Sequence, residues 1–230
     1  MDQKYKTPDI VAIVARGGLG MIPVLGPLAA EIVGGIIPNQ RLDRLEDTVA
    51  RLEAMLEPDE KRLFESKMND PEFIDLFEEA MLQSTRALTE ERRENIAKLL
   101  KRGMTDEERG HQSKRRLFEV FASVNDTEAI ILTAQAYDPN GESGFWDRHE
   151  SILNPPTRTI GSSLAPWDSE AAMMSSVYVQ HLTSLGLVSG QEPGVVGTIG
   201  DTAPSGVRLT PFGWQLVKYL VDAPEVDFSE

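Results

Sequence analysis

Residues Arg41 to Leu56 read RLDRLEDTVARLEAML, and this stretch decides the fold class. Leu42, Leu45, Val49, Leu52 and Leu56 step by three, four, three and four residues. That spacing is an a/d seam with charged flanks, and it predicts an amphipathic helix laid against other helices. The seam covers little more than two heptads, too few for a lasting coiled coil. It reads as one member of a bundle.

The residues that follow continue the pattern. Pro58 ends the seam and opens a short helix through Leu63, Phe64 and Met68. Asp70 and Pro71 supply a cap and a first-turn proline. The helix after them places Phe73, Leu76, Phe77, Ala80, Met81 and Ser84 on one face. Thr89 caps EERRENIAKLLKR, with acids in the first turn, bases in the last and Gly103 as the expected stop. Thr105 with Asp106, Glu107 and Glu108 reads as the start of a helix bearing Leu117, Val120, Phe121 and Val124. Asn125 and Asp126 then lead into TEAIILTAQAY. Residues 39–137 are therefore expected to form a helical bundle with short connections.

Ahead of the seam, Ile10 to Ile37 read IVAIVARGGLGMIPVLGPLAAEIVGGII, an apolar run interrupted by two prolines and six glycines. Gly17, Gly18, Gly20 and Pro23 break any continuous helix, and Pro27 suits the first turn of a new one. Two short helices are expected, each about 15–18 Å long at 1.5 Å per residue. Neither alone crosses a hydrocarbon core of roughly 30 Å. Three uses of this hairpin compete: packing inside the fold, insertion into a membrane, or covering a partner. Its small residues suit close helix contact, including self-association, and Arg16 and Glu31 would have to pair, snorkel or face water in lipid. The residues assigned to membrane contact or self-association are Ile13, Arg16, Gly20, Ile22, Val24, Leu25, Leu28, Glu31 and Ile36.

Downstream, residues 138–167 loosen into DPNGESG and NPPTRTIGSSLAPW, the texture of a linker or long loop. Beyond them a helix around SEAAMMSSVYVQHLTSLG turns into LVSG, a Gly-rich excursion follows, then a short VRLT strand and a last helix, PFGWQLVKYLV, begun by Thr210 and Pro211. This order resembles a winged helix. The expected protein is thus mainly α, with four parts: an apolar helical hairpin at 1–38, a bundle at 39–137, a loop or linker at 138–167, and a winged-helix-like α+β domain at 168–230.

Charge limits the partners. The chain of 230 residues is 40% hydrophobic and 26% charged, with a formal charge of −14 and a pI near 4.7. Residues 1–125 hold 19 Lys/Arg against 23 Asp/Glu, and residues 126–230 hold 4 against 14. An acidic C-terminal part is a poor match for phosphate backbones, so nucleic acid is not an expected partner. The exception is local: Arg92 to Arg116 holds nine Lys/Arg and four Asp/Glu. Arg92, Lys101, Arg115 and Arg116 are its candidate contact residues, against the plainer reading of a solvated bundle face. With no cysteine there is no disulfide or thiolate metal site, and no secretory cleavage pattern follows the apolar run. A cytoplasmic chain, peripheral to the inner membrane if the hairpin engages it, is the expectation.

Catalysis has no positive sign. FWDRHE brings Asp147, His149 and Glu150 together, but the spacing matches no zinc signature. No metal or cofactor is expected, and the chain is read as a non-enzyme.

The order GMIPVLGPLAAEIVGGIIP, RLDRLEDTVARLEAML, FEEAMLQSTRALTEERRENIAKLL and LGLV…LTPFGWQLVKYL resembles the abortive-infection alpha family of bacterial proteins. The resemblance implies a non-enzymatic protein, in some cases tied to phage defence, and transfers no functional residue. Together these readings give a non-enzymatic effector or interaction module, binding a protein partner or itself, with a membrane surface as a further contact. The alternative is a winged-helix DNA-binding regulator.

Overall fold

A computed structural model of the chain describes residues 41–137, 144–153, 170–190 and 207–221. The expected hairpin at 1–38 lies outside the described residues. Among the described residues the protein is mainly helical, with ten helices and one small two-stranded sheet. None of these helices is long and apolar enough to cross a membrane. The chain divides into two compact units, Met1–Ala122 and Ser123–Glu230.

The described part of the first unit is built from α1 (Leu42–Met55), α2 (Pro58–Lys67), α3 (Pro71–Arg86), α4 (Glu90–Thr105) and α5 (His111–Ser123). The seam does what its spacing predicts: Leu45, Val49, Leu52 and Leu56 are all buried, and α1 packs chiefly on α4, with α3 also against it. In α2 a capping box fixes the first turn, the Glu57 N–H donating to Glu60 Oε2 at 2.8 Å. Its one buried residue, Phe64, meets Phe73 and Phe77 edge-on, with ring centroids 5.4 and 5.8 Å apart. Such pairs add about 0.5–1.5 kcal/mol beyond the area they bury. Asp70 and Thr89 cap α3 and α4, their side chains accepting from the Glu72 and Arg92 N–H groups.

Two expectations are corrected. Gly103 does not stop α4, which continues to Thr105. Gly103 is buried inside α4, and a Cβ there would meet the Phe118 ring at 3.4 Å, an ordinary packing distance. Nor does Thr105–Glu108 start the next helix. Asp106 instead folds an Asx turn, its Oδ1 accepting from Glu108 N at 3.0 Å and Arg109 N at 3.2 Å, and α5 begins at His111.

The second unit holds α6 (Asp126–Ala134), α7 (Phe145–Arg148), α8 (Glu150–Leu153), α9 (Glu170–Ser184), β1 (Val188–Gly190), β2 (Val207–Leu209) and α10 (Pro211–Leu220). Asn125 and Glu128 form the capping box of α6, whose residues from Ala129 to Ala134 are all buried. Helices α8, α9 and α10 pack on it. The stretch expected as a loop contains the single turns α7 and α8. Phe145 stacks on Tyr137 at 4.6 Å, and Trp146 Nε1 donates to the Tyr137 carbonyl at 3.1 Å.

Helix α9 ends in a Schellman turn. Gly186 takes φ +72°, Leu187 N donates to Leu182 O at 3.0 Å, and Gly186 N donates to Thr183 O at 2.9 Å. The left-handed residue reverses the chain into β1, which pairs antiparallel with β2 in the register Val188↔Leu209, Ser189↔Arg208, Gly190↔Val207. Thr210 then joins the ends. Its hydroxyl donates to Gly186 O at 2.6 Å and accepts from Gly213 N at 2.9 Å, starting α10. At Gly213 a Cβ would overlap the Leu187 carbonyl, so only glycine allows the two backbones this close.

Candidate functional site

Nine of the residues assigned from sequence (Ile13, Arg16, Gly20, Ile22, Val24, Leu25, Leu28, Glu31 and Ile36) lie outside the described residues. The four basic ones are placed. Arg92 and Lys101 are nine residues apart on α4, two and a half turns, and so point to opposite faces. Arg92 lies over the Phe121 ring, 3.8 Å from its centroid, and its Nη2 donates to the Phe121 carbonyl at 2.6 Å. Lys101 Nζ donates to the last carbonyl of α1, Met55 O, at 2.7 Å, and sits 3.1 Å from Glu60 Oε2. Arg115 pairs with Asp75 and reaches Glu119 Oε1 at 3.3 Å. Arg116, the most exposed of the four, meets the other Glu119 oxygen at 3.4 Å. The structure brings Arg115 and Arg116 together on one carboxylate and sets Arg92 and Lys101 apart.

A second charged cluster ties α1 to α4. Asp47 accepts from Arg51 Nε at 2.9 Å and from Arg93, while Arg93 Nη1 also donates to Ala87 O and Leu88 O at 3.3 and 3.2 Å. Burial alone would push the Asp47 carboxyl up; the two guanidinium groups overcome it and hold the carboxyl below the usual aspartate range.

Among the described residues, a pocket of about 290 Å³ lies where the end of α2, the first turns of α3 and α5, and the end of α4 converge. Phe73, Leu76, Gly103 and Met104 also line it, but all four are buried and the surface it presents is mostly polar. Most of its charges are already matched. Lys67 Nζ lies 3.5 Å from Asp70 Oδ2, Arg109 pairs with Asp106, and His111 Nε2 is 3.1 Å from Asp75 Oδ2. His111 Nδ1 is buried without a partner. The half-buried Lys114 makes neither hydrogen bond nor ion pair with the described residues. Burial, with the neighbouring Lys67 charge, pushes its ammonium below the usual lysine range, against the opposing pull of Asp106, Asp70 and Glu72. Lys114 is thus a recessed cation whose neighbouring charges are the carboxylates of Asp106, Asp70 and Glu72 together with the ammonium of Lys67.

Lys114 and His111 were not among the residues singled out from sequence. A signal exists: Lys114 precedes Leu117, Phe118 and Phe121 by three, four and seven residues, so it lies on the buried stripe of α5 rather than off it. Asp147 and Glu150 of FWDRHE are exposed, and the His149 ring rests 4.7 Å from Phe145. Among the described residues no three His, Asp or Glu side chains are grouped to hold a metal ion. In the second unit, His181 Nδ1 lies 2.8 Å from Oε1 of the buried Glu128, whose Oε2 accepts from Asn125 N at 2.9 Å. Compared with protein-family models, curated proteins and solved structures, the chain finds no match in any of the three.

Proposed function

We propose that the protein is a non-enzymatic interaction module: a helical scaffold that engages a protein partner or a second copy of itself, with Ile10–Ile37 supplying self-association or membrane contact. One observation carries this choice. Arg92, Lys101 and Arg115 are engaged by carbonyls and carboxylates of their own bundle, which takes from a nucleic acid or an anionic lipid the cations it would need. The resemblance to the abortive-infection alpha family supports placing such a module in phage defence. Light scattering of the full chain and of a 10–37 deletion, with flotation on neutral and anionic liposomes, tests it. The full chain is expected to self-associate or float, and the deletion to do neither. A full chain that stays monomeric and off both liposomes overturns the proposal for that segment.

A second reading is a winged-helix DNA-binding regulator. The order α9, β1, β2, α10, with its antiparallel pairing and exposed Arg208 on β2, supports it. The excess of 14 acids over 4 bases in residues 126–230 weighs against it. No gel shift at about 50 mM salt, where backbone contacts are strong, removes this reading.

A further inference from the structure

We propose that the end of the first unit bearing Leu82, Arg86 and Leu88 is a docking surface for residues 27–37 of the same chain, with Glu31 seated on Arg86. The proposal rests on the reading of Ile10–Ile37 as an apolar element that can join a second copy or a membrane, and it names the place that holds this element back from both.

Three observations select the surface and its occupant. First, among the described residues of the first unit the exposed large hydrophobic side chains are Leu82 and Leu88, 36% and 75% exposed, and both lie where α3 gives way to α4. A lone surface leucine is ordinary, but two at one end of a bundle make a place to cover. Second, the chain enters the bundle at that end. Arg44 Nη1 donates to Thr85 O at 3.1 Å, and Arg93 of α4 joins Asp47 of α1 to the Leu88 carbonyl. Further along, Arg51 lies 3.9 Å from Glu94 and Lys101 Nζ donates to Met55 O. These ties ascend both helices together, so α1 runs in the same direction as α4 and begins beside its start. Ile37 is five residues before Leu42, at most about 18 Å of extended chain. Residues 27–37 are therefore held near Leu82 and Leu88 on a short tether, at an effective concentration on the order of millimolar, which a second copy does not match. Third, the charges agree. Arg86 is exposed, lies one turn beyond Leu82 on the same face of α3, and makes no hydrogen bond or ion pair with the described residues. Of the acids at this end, Glu90 faces Arg51 at 3.3 Å, and Asp43 is exposed in the first turn of α1. The segment PLAAEIVGGII carries one charge, Glu31. It offers Arg86 a carboxylate while its leucine and isoleucines cover Leu82 and Leu88.

The chain has no cysteine, so a single one can be introduced to carry a nitroxide label. Glu90→Cys puts the label beside Leu88, and Glu107→Cys puts it past the far end of α4, a helix about 24 Å long. Amide resonances of the full-length protein are compared with each label oxidised and reduced. The label at 90 is expected to broaden residues 28–37 several-fold more than the label at 107, and to do so equally on dilution. Leu82→Asn combined with Leu88→Asn, two surface changes that leave the core intact, should remove the broadening. Arg86→Glu should weaken it, and adding Glu31→Arg should restore it. Equal broadening from the two labels, broadening found only between labelled and isotope-enriched molecules in a mixed sample, or broadening that survives the paired leucine substitution would each overturn the proposal. Liposome flotation and light scattering of the paired leucine variant separate this outcome from the reading it rests on. Docking in the wild type, with a variant that floats or self-associates more, supports both. Docking with a variant that does neither leaves the surface standing and removes the function given to Ile10–Ile37.

Discussion

The two units solve the same problem, holding short helices together, by different means. The first does it with side chains. Its helices carry a seam, an aromatic cluster and ion pairs that bridge positions far apart in sequence, such as Asp47 with Arg93 and Asp75 with Arg115. The second unit, poor in cations, relies on backbone devices: the left-handed Gly186, the doubly bonded Thr210 and the forced closeness at Gly213. A unit fastened through many side chains should yield gradually to substitution. One fastened through a few backbone contacts should have a small number of intolerant positions.

Four substitutions sharpen or break this contrast, beginning with the largest effect. Phe77→Ala, which empties the meeting point of Phe64 and Phe73, should cost about 3–5 kcal/mol of the first unit's stability in urea unfolding. Gly213→Ala should cost the second unit about 3 kcal/mol, since backbone rather than a flexible side chain opposes the added methyl. Hydrogen exchange resolved by unit should place the loss in residues 123–230 and leave the first unit protected. Wild-type protection in both would refute the backbone account.

Asp47→Asn should cost about 0.5–1 kcal/mol at pH 7, as befits a partly exposed ion pair. Its sign with pH follows from the lowered carboxyl. The contribution is fully present above the unfolded aspartate value of about 3.9 and is lost as pH falls through the folded value below it. The gap between wild type and variant should therefore close in acid. Lys114→Met should have the smallest effect and the opposite tendency, being at least as stable as wild type at neutral pH. A lysine whose folded value is lowered carries its penalty below that value and sheds it as pH rises toward the unfolded value of about 10.4. Wild type should accordingly gain on the variant in alkali, which thermal melts across that range will show.

Much of the first unit was legible in sequence because its signals are local. The three–four stepping of Leu45, Val49, Leu52 and Leu56, and the caps at Asp70 and Thr89, depend on residues within a turn or two, as does the cap at Thr210 in the second unit. Gly103 reads as a stop when only its neighbours are considered, yet it is buried in the bundle and α4 continues past it to Thr105. Asp106 was misjudged because acids suit both a helix start and an Asx turn, and the choice depends on where α5 has to lie. The charge run of Arg92 to Arg116 drew attention to its most numerous residues. Lys114 differs from these in making no direct ion pair although Asp106, Asp70 and Glu72 act on it, and which carboxylates reach this region depends on residues as distant as Asp75, 40 positions before Arg115.

Glu128 performs two tasks with two oxygens. One closes the first turn of α6 on Asn125, and the other receives His181, 53 residues further along the chain. One carboxylate thus ties the first turn of α6 to a residue near the end of α9. Loosening either contact exposes the same buried charge, so the beginning of α6 and the seating of α9 should fray together rather than in turn.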